Sequence, residues 1–453
     1  MTRLLPFVIF IFLVAGTIAG ISDAHKETRA INNNDTHNLL AWDNASPTGG
    51  WKAGAPRDEI TPSMSADPSK KGLRMSGRGM QWCAGYWRKE VGGIQGGAHY
   101  DFHALVETDH VDNPVENLQV LVTWTGFQPD WRSSGHYMPE YATHFRKVDN
   151  RTVEISEQFR APDVARGAEI ELWLKWNGNA RVLWRDISLV QGVAKPHRKV
   201  RIATIYWRNA GPTTIDNNLK HFFEKVDEAG KKHPDVILLS ECFKKVGTSF
   251  STAELADRIP GRVFNLVAEK ARAYNSYIIY GDYLREGPYI FNEAIIVDRK
   301  GKLAGTYKKV QLPVDEAMTL SPGAQWPIFD LDFGRVGLLI CHDTTFPEPP
   351  RVMGLKGAEI VFVPIWGGDV TTMQARAAEN GYYWVTAGFD LPSMIISPDR
   401  KILASTWKNQ GTGVAFAEID LDQPVRQDWF GIWRNSVWNQ RRPELYAPLS
   451  KER

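Results

Sequence analysis

The hydrophobic pattern of this chain changes period once, at a short basic stretch made of Lys195, Pro196, His197, Arg198 and Lys199. Before it, short apolar runs at residues 104–107, 118–124, 153–155, 169–176 and 182–190 are separated by Gly, Asn, Asp and Pro. Residues 169–176 alternate polar and apolar, which puts Ile170, Leu172 and Leu174 on one face of a strand and Trp173 on the other. No long helical period occurs there, so the pattern predicts a β-sandwich. After the basic stretch, strand-like runs at 200–205, 236–239, 276–283 and 293–297 alternate with helical spacing at 214–229, closed by Gly230, and over 251–273. Strand–helix alternation means an α/β layered unit. The expected domains are therefore residues 26–194 and 199–453.

The first residues read as a targeting signal. Arg3 precedes an almost wholly apolar run over 4–21, followed by a small-residue cleavage site at 17–19 or 22–24. Residues 1–24 are thus expected to be a signal peptide and the protein secreted or periplasmic. The alternative is an uncleaved membrane anchor, because the run approaches spanning length. Asn34, Asn44 and Asn150 begin glycosylation sequons. With 54 basic against 52 acidic residues, the net charge of +2 gives no footprint for nucleic acid or an anionic membrane. Three cysteines are too few for a disulfide scaffold, and the odd number leaves one thiol unpaired within the chain.

Nucleophile elbows, phosphate loops, dinucleotide fingerprints and paired Cys-x-x-Cys motifs are absent from the sequence. His99 and His103 fall on a strand-like segment, so they do not share a helical face as zinc ligands do, and no metal is expected. What remains is a thiol and a few charges at the ends of apolar runs. Cys341 follows the strand-like run 336–340 and precedes a helix start at Glu348. That is where ligands bind in α/β sheets, and main-chain N–H groups there favour a thiolate and hold an oxyanion. The bland alternative is an inert buried thiol. Glu241 repeats the placement after residues 236–240, as a solvated strand end or a buried general base. Lys309 lies in a mixed polar segment where lysines are usually solvated, and Glu316 follows seven residues later.

Taken together and in order, these segments resemble the carbon–nitrogen hydrolases of the nitrilase superfamily. Residues 237–241 match the strand ending in that family's first glutamate, and Tyr289 with Asn292 and Ala294 the strand that follows. Tyr307, Lys309 and Leu312 match the lysine segment, making Lys309 rather than Lys308 the family's lysine. Glu316 with Ser321, Pro322 and Gly323 matches the second glutamate. Cys341, Asp343, Phe346, Pro347 and Glu348 match the nucleophile block, and residues 357–364 and 376–380 the next two. His342, Thr345 and Gln311 depart from the family's usual tyrosine, arginine and histidine. The order of the N-terminal strands resembles the jelly-roll carbohydrate-binding modules of secreted glycosidases, which close on a strand like the one carrying Trp184, Arg185 and Asp186.

The resemblance implies a four-layer αββα sandwich, frequent homodimerisation through a helical face, and no cofactor. It also implies a mechanism. Cys341 attacks a small-molecule amide, Glu241 shuttles the proton, and Lys309 with the main-chain N–H of His342 holds the oxyanion. Glu316 keeps Lys309 charged and in place. Trp366, at another strand tip, is either a substrate-pocket wall or ordinary core or dimer surface. Cys242, beside Glu241 on an expected strand, points away from the pocket and is structural. Acyl transfer to an amine uses the same four residues, and nitrile hydrolysis is a third chemistry of the family. A reading of another class makes the chain a polysaccharide-binding surface protein, using tryptophans such as Trp131 or Trp173, with a degenerate α/β half.

Overall fold

The computed structural model describes residues 37–127, 139–209, 211–406, 412–427 and 431–451. The expected signal segment, the Asn34 sequon and Trp131 lie outside the described residues.

The N-terminal region folds as two antiparallel sheets around one apolar core. One sheet runs in the order Lys52–Gly54, Ala84–Gly92, Gly167–Lys175, Leu118–Thr125, Glu140–Tyr141. The other runs Ser63–Asp67, Gly72–Ser76, Arg181–Gly192, His99–Asp109, Thr152–Arg160, His144–Lys147. The alternation read in the sequence is the packing that results: Ile170, Leu172 and Leu174 are buried while Glu169, Glu171 and Trp173 face outward. Trp87, Tyr100, Phe102, Trp124 and Trp184 fill the space between the sheets. Each fully buried aromatic or aliphatic side chain there contributes about 1.5–3 kcal/mol.

Past the basic stretch, two six-stranded sheets stack face to face. The first is ordered Leu303–Lys308, Tyr289–Val297, Tyr277–Glu286, Val236–Leu238, Lys199–Trp207, Thr412–Asp420. The second is ordered Ile328–Leu331, Gly334–Leu338, Ile360–Pro364, Tyr383–Ala387, Met394–Ile396, Ile402–Ser405. Val200, Ile202, Leu238, Ile279 and Ile296 of one meet Leu338, Ile340, Phe362 and Val385 of the other in a single core. Helices Ile215–Gly230 and Arg262–Tyr274 cover the outer face of the first sheet through Leu219, Phe222, Val226, Val263 and Val267. Helices Glu348–Leu355 and Val370–Asn380 bring Met353, Met373 and Ala377 to the second. The layers are therefore helix, sheet, sheet, helix.

Local chemistry explains the helix ends. The Thr214 hydroxyl accepts from the Asn217 N–H at 3.2 Å to start the first helix, and the Asp369 carboxylate caps Thr372 N at 2.7 Å. Gly381, at φ +67°, closes the helix Val370–Asn380 in the left-handed conformation that glycine adopts without strain. The helix expected over 251–273 is two pieces, Thr252–Leu255 and Arg262–Tyr274. Pro260 and Gly261 explain the break: proline has no N–H to continue a helix and disfavours helical geometry in the residue before it. Among the described residues no helix is long and apolar enough to cross a membrane.

Candidate active site

Four segments from both sheets converge on one buried cluster. Glu241 lies three residues past the end of Val236–Leu238 and is 3% exposed. Its approach to the neighbouring strand depends on Gly281, where a Cβ would sit 2.8 Å from the Glu241 Cα. Lys309 follows the end of Leu303–Lys308 and is 1% exposed. The two adjacent lysines separate completely: Lys308 pairs with Glu286 on the surface at 2.6 Å, while Lys309 turns inward. The turn at Ser321 and Gly323 holds it there, with Gly323 N–H donating to the Lys309 carbonyl at 2.8 Å. At Gly323 any Cβ would strike the Lys308 carbonyl, so the close approach requires glycine.

The Lys309 Nζ lies 3.0 Å from Glu241 Oε1 and 2.7 Å from Glu316 Oε2. Asn292 completes the arrangement. Its Nδ2 donates to Glu241 Oε1 at 2.7 Å and to Glu316 Oε1 at 3.2 Å, so each amide proton serves one carboxylate. The resemblance placed Asn292 in a matching strand without a role. The signal that identifies it is a polar side chain on an otherwise apolar inward-facing row of the strand, with Ile290, Ala294 and Ile296. Burial alone works against the Lys309 ammonium, but Glu241, the Cys341 sulfur and Glu316 outweigh it and hold the amine above its usual range. Burial raises the Glu316 carboxyl, opposed by Lys309.

Cys341 begins a short turn, Cys341–Thr345, three residues beyond the end of strand Gly334–Leu338 rather than directly on it. Its φ of +41° is left-handed, a conformation that costs a non-glycine residue energy and recurs at functional sites. Burial pushes the thiol up to about 12, and the Glu241 charge adds to this; Lys309 and the main-chain N–H groups of Trp366 and Gly367 pull the other way. The resting sulfur is therefore a protonated thiol close enough to feel both Glu241 and Lys309, and it requires a base to act as a nucleophile.

Trp366 and Cys242 need fuller statements than the sequence allowed. The partly buried Trp366 ring packs against Phe389, 4.8 Å between centroids, at the margin of the core beneath the helices. Its main-chain N–H reaches the Cys341 sulfur. Cys242 is not on a strand: it follows Glu241 in a turn at φ +44°. Its thiol donates to Asn292 Oδ1 at 3.7 Å and is otherwise enclosed by Leu255, Tyr283, Ile290 and Leu320. The turn reverses the direction that strand alternation predicts for it. The His342 ring is edge-on to Phe346 at 5.4 Å, and burial with nearby Lys309 lowers its affinity for a proton. Its main-chain N–H is the next one along the turn from the sulfur. Cys83, Cys242 and Cys341 are all free thiols. Among the described residues no group of three or more His, Cys, Asp or Glu side chains is arranged to hold a metal ion.

The arrangement can move a proton between sulfur and carboxylate while a buried cation faces developing negative charge. Comparison with known proteins gives the family. The carbon–nitrogen hydrolase family profile matches residues 200–426. A nitrilase from Pyrococcus abyssi is 32% identical over 249 residues, 51% of this chain and 93% of that protein. A probable nitrilase from Schizosaccharomyces pombe is 30% identical over 262 residues, 52% of this chain and 93% of its own length. An omega-amidase from Homo sapiens is 26% identical over 257 residues, covering 50% of this chain and 90% of that enzyme.

Proposed function

Because the chain belongs to the carbon–nitrogen hydrolase family of the nitrilase superfamily, we propose that it hydrolyses an amide of a small molecule through a thioester on Cys341. The observation that carries this reading is the shared ion pair of Lys309 with Glu241 and Glu316, within electrostatic reach of a thiol held protonated.

The Cys341 sulfur attacks the carbonyl carbon as its proton passes to Glu241. The carbonyl oxygen becomes an oxyanion, stabilised by the Lys309 ammonium and the His342 main-chain N–H. Loss of one such donor costs about 100- to 1,000-fold in rate. The carbon–nitrogen bond then breaks, and the leaving nitrogen takes the proton from Glu241. Glu241 next removes a proton from water, which attacks the thioester carbonyl. Collapse of the second tetrahedral species releases the acid and returns the proton to sulfur. Glu316 and Asn292 keep Lys309 and Glu241 in register without touching the reacting carbon.

Ammonia release from a panel of amides tests the reading. Release by the wild type and its loss in Cys341→Ala support it; no release from any amide, with Cys341→Ala indistinguishable, overturns it. An added amine acceptor in the same assay separates hydrolysis from acyl transfer by the product formed.

For the N-terminal region we propose a jelly-roll module that binds polysaccharide and acts with the hydrolase outside the cytoplasm. Support comes from the chain's crossings between the two sheets through Gly72–Ser76, Ala84–Gly92, His99–Asp109 and Leu118–Thr125, and again through Thr152–Arg160, Gly167–Lys175 and Arg181–Gly192. The outer face adds an aromatic pair, Tyr86 and Trp173, 4.5 Å apart and flanked by Arg88, Glu169 and Glu171. Such a face stacks on sugar rings and hydrogen-bonds their hydroxyls. Retention of the full chain on insoluble polysaccharides, lost in Trp173→Ala, is the expected result. Equal retention of both proteins removes Trp173 from the site.

A further inference from the structure

Among the buried acids that the mechanism does not use, one lies beside the nucleophile. Asp343 is fully buried two residues past the nucleophile, and both of its carboxylate oxygens are occupied. Oδ2 accepts from the Tyr307 hydroxyl at 2.8 Å and from Ile340 N–H at 2.9 Å. Oδ1 accepts from Gln311 N–H at 2.9 Å. The partners are not scattered. Tyr307 and Gln311 flank Lys309 on either side, and Ile340 immediately precedes Cys341. The Tyr307 hydroxyl also accepts from Val310 N–H at 3.2 Å, which tightens the lysine segment around the same carboxylate. The two segments belong to different sheets and are joined here across the interior.

We propose that Asp343 is a positioning residue that sets the distance between the Lys309 ammonium and the Cys341 sulfur. The inference rests on the roles given above to Lys309 and Cys341. A carboxylate suits the task because it is an acceptor only. Three donors converge on it, and an amide in its place would turn an N–H₂ group toward at least one of them. The left-handed turn at Cys341 also needs an external tie, since its backbone does not hold that conformation unaided. A misplacement of about 1 Å between reacting groups costs about 100-fold in rate, which is the scale expected here.

The test is Asp343→Asn and Tyr307→Phe in the full chain. Each is measured for turnover on the best amide of the panel and, separately, for alkylation of Cys341 by iodoacetamide across pH. Asp343→Asn is expected to lower kcat by about 100-fold with KM changed less than about threefold, since the distance matters to the reacting atoms and not to substrate capture. Its alkylation profile should move to higher pH, because Lys309 no longer favours the thiolate. Tyr307→Phe removes one of the three donors and should show the same two changes at about a tenth of the size, and it carries the test if Asp343→Asn does not fold. Alkylation profiles superimposable on the wild type in a folded variant overturn the positioning role. That readout needs no substrate, so it decides the matter even if the wild type releases no ammonia and the hydrolase reading fails. Loss of turnover accompanied only by a lowered melting temperature, with unchanged alkylation, likewise assigns Asp343 to stability and overturns the proposal.

Discussion

Two lysines are buried in the same sheet layer, and only one of them makes a site. Lys309 shares its ammonium between Glu241 and Glu316 and lies beside a thiol. Lys244, three residues after Glu241, pairs with Asp282 alone at 2.9 Å, with both side chains almost wholly enclosed. Burial of charge costs much the same in each case, so burial does not mark the functional pair. The Lys309 cluster differs in carrying an excess carboxylate and a nucleophile. A proton therefore has somewhere to go, whereas Lys244 and Asp282 neutralise each other.

The largest difference expected between them is in turnover. Lys309→Met should lower kcat/KM by about 100- to 1,000-fold, as removal of an oxyanion-stabilising donor does. Lys244→Met should leave turnover per folded molecule within about threefold of the wild type. It should cost about 3–5 kcal/mol of stability instead, because it strands Asp282 as an unpaired buried charge. Steady-state kinetics alongside guanidinium unfolding separates the two. Equal losses of turnover would erase the distinction between site and scaffold.

A second contrast has opposite signs within one variant. The Glu241 carboxylate adds to the burial that raises the Cys341 thiol. Glu241→Gln removes that charge and leaves Lys309 in place, so iodoacetamide should alkylate Cys341 faster at pH 8 than in the wild type. Turnover should nonetheless fall by at least about 100-fold, because no base remains to carry the proton. Slower alkylation together with lost turnover would mean that Glu241 acts on the sulfur by means other than its charge.

These contrasts also mark what was legible in the sequence. Cys341 and Glu241 are legible because each follows an apolar run that the fold buries; Lys309, in a mixed polar segment, is legible only because the order of all three along the chain is characteristic of one family. The layered α/β sandwich follows from the same strand–helix alternation, and the inward row of Ile170, Leu172 and Leu174 from alternation alone. Asn292 is harder to read, since its role exists only when two glutamates distant in sequence reach its two amide protons. Cys242 misleads because strand alternation was extended past Leu238, where the chain turns. The break at Pro260 was lost within a run of otherwise helical composition. Lys244 and Asp282 carry no pattern at all: a lysine and an aspartate 38 positions apart announce nothing until the turn and the strand meet.

The smallest effect expected concerns pH. Burial pushes the Asp282 carboxyl up to about 6 from 3.8, with Lys244 opposing the rise. Between those values the folded chain keeps a proton that the unfolded chain has released, so Asp282 makes stability fall as pH rises through that window, with no further change above it. Guanidinium midpoints from pH 4 to 7 should therefore decline less steeply in Asp282→Asn than in the wild type. Lys244→Met removes the opposing charge, so its declining segment should extend to higher pH. An unchanged slope in both Asp282→Asn and Lys244→Met would show that Asp282 titrates alike in the folded and unfolded chain, and that the pair carries no pH-dependent stability.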